Sequence, residues 1–377
     1  MSKEGKLIDT KMIRRFIAFF VIVLYTNILF GQEHVESHNN ETTHEVAENS
    51  AHHEHEKEKV DPIEAVMEHI ADSYDWHIID YNDKPISLPL PIILYSQNSG
   101  FHIFLSSKFE HGHAEYKGFK IASEGEHKGK IVELIANADG SQTEQLVFFD
   151  FSITKNVSSM FMSVFLLLLI FLSVARAYKK RGNGTPKGLQ AFIEPLIVFV
   201  KDEIAIPNIG EKKYKKFLPY LLTVFFFIWI NNMIGLVPIF PGSANLTGNI
   251  AVTLVLAIFT MLFVNLNGNK NYWRHIFAMP GVHVILLPIL TVVEIIGVIA
   301  KPFALMIRLF ANMLAGHIIV LSLISLIFIF GTVWISPVSV IFVLFMDILE
   351  LFVAALQAYV FTILSALFIG LAIQEEH

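Results

Sequence analysis

Cysteine is absent from the 377 residues. That excludes a disulfide framework, a cysteine zinc site, an iron–sulfur cluster and a thiolate nucleophile. Charge is also scarce. Asp, Glu, Lys and Arg make up 16% of the chain, against about 25% in soluble domains. There is no phosphate-cradling glycine loop and no nucleophile motif, so a soluble enzyme is excluded. What the chain has in quantity is apolar surface: 54% of residues are hydrophobic and the mean hydropathy is +0.54. Those figures describe a polytopic membrane protein carrying some soluble part. The net charge of −6 is the sum of unlike pieces: +3 over residues 1–31, −15 over 32–153 and +6 over 154–377.

The front end divides by composition. Lys3, Lys6, Lys11, Arg14 and Arg15 precede an apolar run from Phe16 to Phe30. A basic region followed by a short apolar one reads as a signal peptide over 1–31, with an uncleaved anchor as the alternative. Either places residues 32–153 outside the cytoplasm. Residues 32–60 hold eight Glu and six His. With almost nothing to bury, they read as a disordered spacer rather than a metal site, because no spacing supplies a ligand set. Residues 61–153 read as a small β-rich or irregular exported module. A short helix is expected to start at Asp61-Pro62. Strands are expected around Ile78-Ile79, Ile92 to Leu94, Phe101 to Leu105, Lys117 to Ile121, Ile131 to Ile135 and Leu146 to Phe151.

The membrane half begins at residue 154. Val157 to Ala175 is uncharged and long enough to span a bilayer, and Arg176, Lys179, Lys180 and Arg181 put its far end in the cytoplasm. Lys187 to Ile204 is apolar at helical spacing but interrupted by charge. It reads as an amphipathic helix on the cytoplasmic face, with a kink at Pro195. Phe217 to Pro238 and Ile250 to Leu266 are the next spans. Between the latter and the last segment lies a basic loop, Gly268 to His275, with an aromatic anchor. Residues 282–373 are too long for two ordinary spans. A break near Gly331 to Pro337 leaves two helices reaching about 50–65 Å each, against a hydrocarbon core of about 30 Å, so both must tilt strongly or protrude. The fold class is therefore all-α polytopic, with about five transmembrane helices, the last two a long tilted hairpin, and the C-terminus inside.

Those last two helices carry ionisable residues deep in apolar sequence, where each costs about 2.5–3.5 kcal/mol on insertion scales. Glu294, Lys301 and Arg308 recur every seven residues and share a face that drifts only about 20° per step. Asn312 follows one turn on. His317 lies about 180° round the helix from Arg308 and about 13.5 Å along it. On the next helix Glu350 and Gln357 share a face, with Asp347 one turn before. Arginine stays protonated, so Arg308 is a fixed charge and no relay. His317, Glu350 and Glu294 can exchange protons. By chemistry alone, two water-accessible paths separated by Arg308 are expected. A secondary ion or metal transporter is the rival, but the membrane half shows no internal repeat and few soft ligands.

The run Arg308-Leu309-Phe310-Ala311-Asn312-Met313-Leu314-Ala315-Gly316-His317, preceded by Lys301-Pro302, resembles the signature of subunit a of the rotary F-type ATP synthase. Thr154 to Val157, Asn232 to Pro238, Val252 to Leu254, Leu356 to Phe361 and Glu375-Glu376-His377 follow the family's order. The resemblance spans residues 154–377. It implies a non-catalytic proton-channel subunit of the inner membrane, partnered by a ring of c subunits and the b-subunit stalk, with no cofactor, resident metal or nucleic acid. It implies that Arg308 faces the ring carboxylate and Gln357 lies near it. His317 and Glu350 would line the outer half-channel, with acid and imidazole exchanged relative to some bacterial members. Asn312 matches the polar position after the arginine, and Glu294 the inner acid. Gly235 departs from the pattern where some members carry an acid, and Ala251 where many carry Asn.

Overall fold

The computed structural model describes residues 72–374, apart from 82–83, 124, 126, 137–141, 182–184, 238–241, 243, 280–281, 284 and 331–334. The leader at 1–31, the His- and Glu-rich tract, the helix expected from Asp61 and the tail Glu375-Glu376-His377 lie outside the described residues. So does part of the outer turn at 240–245.

The N-terminal part ahead of the first long helix is a set of short antiparallel sheets. β1 (Asp75–Tyr81) pairs with β2 (Lys84–Pro89). β3 (Pro91–Ser96) lies between β4 (Gly100–Leu105) and β8 (Phe149–Asp150). β6 (Ile131–Ala136) lies between β5 (Phe119–Ile121) and β7 (Gln142–Leu146). The strand expected at Leu146 to Phe151 is two elements, broken where Val147 turns into the core and Phe148 out of it. Three elements are not marked by the sequence pattern: β2, β7 apart from Leu146, and the tight helical turn Ser106–Gly112. The core holds Ile92, Leu94, Phe109, Phe119, Ile131 and Val147. The Tyr74 phenol donates to Asp150 Oδ2 at 2.6 Å, tying the entry of the module to its exit. Burial, and then the Asp150 carboxylate, push that phenol's pKa well up, so it remains a donor.

Among the described residues, five helices are long and apolar enough to cross a membrane. They are α1 (Lys155–Arg181), α3 (Tyr214–Leu236), α4 (Ile250–Asn267), α6 (Leu287–Phe330) and α7 (Ile335–Ile373). The last two reach about 66 and 58 Å at 1.5 Å per residue and pack on each other as a hairpin. Between α1 and α3 runs α2 (Leu189–Phe199), which continues through a π-helical stretch, Val200–Ala205, into Ile206–Ile209. Pro195, where a kink is expected, lies inside the continuous helix. The irregularity comes ahead of Pro207, which has no N–H to give the ladder. Asn208 Nδ2 donates to Ile204 O at 2.8 Å in partial compensation. The basic loop expected at 268–275 is a short helix, α5 (Lys270–Phe277), with Trp273 stacked on Phe277.

Helices in lipid gain little from the hydrophobic effect and associate by close packing, which small residues permit. α7 supplies the small residues. Ala354, Ala358, Thr362, Ala366 and Gly370 recur every four residues, a row that winds along one helix ridge. The first two alanines, Thr362 and Ala366 have no exposed surface. α3 and the end of α2 lie against α7. At Gly370 the approach is closest: an added Cβ would fall 2.0 Å from the Asn208 carbonyl oxygen. The C-terminal carbonyls of α7 are also held. Asn269 N–H donates to Ala372 O at 2.8 Å, while Asn269 Nδ2 and Lys213 Nζ donate to Ile373 O at 2.7 and 3.1 Å. α3 is enclosed by its neighbours, with Leu221, Phe226, Phe227 and Ile228 fully buried.

The module and the first span are joined at two places in sequence. The chain enters α1 from β8, but the residues ahead of β1 also reach it. Lys155 N–H donates to Ser73 O at 2.8 Å, and Asn156 N–H to Asp72 Oδ1 at 3.0 Å. Val157 N–H turns back to Thr154 Oγ1 at 3.4 Å. Three of the four N–H groups left over at a helix start are thereby satisfied. Losing such a cap costs about 0.5–2 kcal/mol. Asp72→Ala should therefore speed exchange of the Asn156 amide several-fold, whereas Asp72→Asn keeps an accepting oxygen and should not. Hydrogen–deuterium exchange over residues 153–160 measures this, and equal exchange in both variants would remove the cap.

Candidate proton path

α6 and α7 carry the residues singled out by spacing, and the tertiary structure sorts them into separate places. Arg308 and Asn312 are exposed on the outer side of α6, among Phe303 and Ile307. Among the described residues, no hydrogen-bond or ion-pair partner reaches the Arg308 guanidinium. His317 lies on the other side of the same helix, half-buried, with Nδ1 at 3.9 Å from Glu350 Oε1 of α7. The near-180° offset expected from nine residues of helix is what separates them. Glu350 is 6% exposed although it carries a carboxyl group.

A glycine makes that burial possible. A Cβ on Gly316 would stand 2.6 Å from Glu350 Oε1 and 2.9 Å from its carboxyl carbon. The carboxyl group therefore rests on the bare α6 backbone one residue before His317. Glu350 is also the next four-residue position ahead of Ala354, so the row that draws the other helices onto α7 carries it inward. Gly235 of α3 plays a similar part on the far side of His317: its hypothetical Cβ would be 3.8 Å from Nε2 and 3.4 Å from Ala244 O. The departure from the family pattern at Gly235 thus falls beside the imidazole.

Polar groups cluster at this level. Asn232 of α3 donates through Nδ2 to Ala354 O at 3.1 Å and accepts from the Thr247 hydroxyl at 2.6 Å. It joins α3, the outer loop and α7 one turn from Glu350. Nearby, Asn245 Oδ1 accepts from Gly248 N–H at 2.9 Å. Among the described residues, no hydrogen-bond donor reaches Glu350 Oε1, and Asn245 Nδ2 is likewise buried without an acceptor. Leaving such groups dry costs about 1–3 kcal/mol each. Asn249 caps α4 by accepting the Ala251 N–H at 2.9 Å, so the second departure, Ala251, sits in a helix cap.

The region around Lys301 is a different environment. Lys301, Asn265 and Tyr272 line a small cavity of about 30 Å³ between α4, α5, α6 and α7, room for about one water. Tyr272 donates to Asn265 Oδ1 at 2.8 Å. Burial, and secondarily the Glu294 carboxylate, raise the pKa of the Tyr272 phenol. Glu294 is half-buried two turns before Lys301, whose Nζ lies over the Phe368 ring at 5.7 Å. Gln357 is buried on α7, 5% exposed, and Asp347 is exposed. The structure therefore brings His317 and Glu350 together, puts Glu294 with Tyr272, and leaves Arg308 apart from both groups. Tyr272, Asn265 and the Asn232–Thr247 pair were not singled out by periodicity. Their partners are distant in sequence, and the only local signal was polarity at a span end.

Comparisons with known proteins bear on the same stretch. The family model described as ATP synthase A chain matches residues 157–370. A second, described as a domain of unknown function, matches residues 65–151. The ATP synthase subunit a of Chloroherpeton thalassium is 48% identical over 234 residues, covering 60% of this chain and 68% of the relative. ATP synthase subunit a 2 of Chlorobaculum tepidum is 44% identical over 279 residues, 69% of this chain and 78% of the relative. The subunit a of an Anaeromyxobacter species is 39% identical over 315 residues, 81% and 69% respectively. The polar hairpin of α6 and α7 lies within the matched region, and the chain belongs to the ATP synthase A chain, or subunit a, family.

Proposed function

We propose that this chain is the stator side of the proton path in an F-type ATP synthase. The family membership supports the general role: a membrane component of the complex that moves protons and leaves ATP chemistry to other subunits. The finer reading is ours. A proton enters from outside and passes between His317 and Glu350, where the buried oxygens and amides near Asn245 and Asn232 give a path something to hydrate. It then neutralises a carboxylate on a ring of c subunits. After nearly a full turn that carboxylate meets Arg308, and the proton leaves inward past Glu294 and the Tyr272 cavity. Asn312 follows the arginine on the exposed side of α6, and Gln357, buried on α7, is the polar group that the family pattern puts near it. A b-subunit stalk would hold the chain against rotation. The fit requires the inner membrane of a bacterium, with residues 61–153 outside as a separate module behind a signal peptide and a spacer, and the C-terminus inside. The rival transporter reading has no observation in its favour once the family is known.

The observation that carries this reading is Arg308. A guanidinium in mid-helix, exposed among apolar side chains and paired with nothing among the described residues, is costly unless an anion from another chain meets it. Because arginine does not lose its proton, it blocks direct passage between the two half-channels and favours ionisation of the ring carboxylate.

Arg308→Ala should abolish proton-driven ATP synthesis in membrane vesicles; synthesis at the normal rate would end the assignment. Arg308→Lys should restore only part, since an ammonium can deprotonate. Exchanging His317 and Glu350 should retain more synthesis than either single change to Ala, and equal loss in all three would exclude a paired relay. Gly316→Ala should displace the Glu350 carboxyl group and cut proton flux at least several-fold while the complex still assembles. Unchanged flux in that variant would mean that Glu350 does not need its seat on the α6 backbone.

A further inference from the structure

The sheet formed by β4, β3 and β8 has a second face that the module's core does not use. In β3, Ile92 and Leu94 are fully buried, so the odd-numbered residues point the other way. Register decides their neighbours. Tyr95 lies between Phe101 and Phe149, Ile93 opposite Ile103, and Pro91 opposite Leu105. The pairing continues beyond β8, for Phe151 N–H donates to Ile93 O at 2.8 Å and Ile153 N–H to Pro91 O at 2.9 Å. Each of these outward positions is apolar. Phe101 is 62% exposed and Ile103 60%, and Phe149 stacks on Phe151 with ring centroids 5.7 Å apart. A continuous apolar face of this kind marks a contact surface.

Its position says what the contact is. Ile153 directly precedes Thr154 and the first turn of α1, and the charge-free part of that span starts at Val157. The Leu105–Pro91–Ile153 row therefore begins within the headgroup layer, which is about 5–8 Å thick on each side. The Phe101–Tyr95–Phe149 row stands at most about 13 Å further along the strands. The module is held at this height by both of its ends, because Ser73 and Asp72 bond the first N–H groups of α1. Below it α1 exposes Phe161, Phe165 and Leu169. The face thus adjoins the start of a helix long and apolar enough to span, and its Phe and Tyr rings are of the type that settle at a membrane interface.

We propose that this sheet face rests on the outer lipid leaflet, with the Leu105 row deepest, so that the exported module is a peripheral membrane anchor for the first span. The contact rests on the spanning character of α1 and is independent of the proton path.

The absence of cysteine makes the test direct. Leu105→Cys, Ile103→Cys and Phe101→Cys can each carry a nitroxide in the purified complex, placed in nanodiscs of phosphatidylethanolamine and phosphatidylglycerol. Gln145→Cys on exposed β7 serves as the water-facing control. Power saturation should show all three face positions more accessible to oxygen than to a nickel chelate, with depth falling from Leu105 to Phe101 and the control reversed. Chelate accessibility equal to the control would overturn the proposal. So would an inverted depth order, protection from both reagents, which means a protein partner, or dipolar broadening, which means a second copy. Phe101→Trp gives a label-free reading: brominated lipid should add quenching beyond that of the unsubstituted complex, and no added quenching would likewise count against lipid contact.

Discussion

The membrane domain depends on how closely other backbones approach α7. Lipid tails are as apolar as the helices, so burial alone cannot assemble them. Dispersion and hydrogen bonding across short separations must do so, and both fall off steeply with distance. The row from Ala354 to Gly370 allows that distance to shrink. The same winding row holds Glu350 at one end and approaches the capped C-terminal carbonyls at the other. Packing and polar placement are consequences of one feature, small side chains every fourth residue.

Charge is distributed around that constraint. Glu350 is drawn inward because Gly316 leaves the α6 backbone bare beneath it, and His317 follows because it is the next residue. Arg308, on the far side of α6, faces away from every partner that the described residues could provide. A carboxyl–imidazole pair enclosed among helices and a lone guanidinium on the outer face are unlike environments on one helix. On the proposed reading, that contrast is what would let one side exchange protons while the other stays a fixed charge.

The N-terminal module belongs to the same arrangement more than its acidic composition suggests. It closes the N-terminal end of α1 with Ser73 and Asp72 and enters the helix without a linker. Its aromatic sheet face then lies where water gives way to headgroups. A domain held at both ends and apolar on one side constrains the span below it, whatever else it binds.

Much of this was legible in order of residues alone. Five spans, the long final hairpin, the opposite faces of Arg308 and His317, and most strands follow from periodicities of 3.6 and 2, which are local properties of backbone geometry. So does the family resemblance, carried by the run from Arg308 to His317. The misses are those that locality cannot supply. The basic segment at Lys270 closes into a short helix, and the irregular turn of α2 falls ahead of Pro207. The split of Leu146 to Phe151 depends on which residues the core accepts. Sequence determined what each helix carries and on which face. Only tertiary structure decided that Gly316 seats Glu350, that Asn232 reaches α7 across 122 residues, that Asp72 caps a helix it precedes by 84, and that Arg308 meets no partner within the described chain. Those facts are distances between segments, and distance across a fold is set by packing rather than by position along the chain.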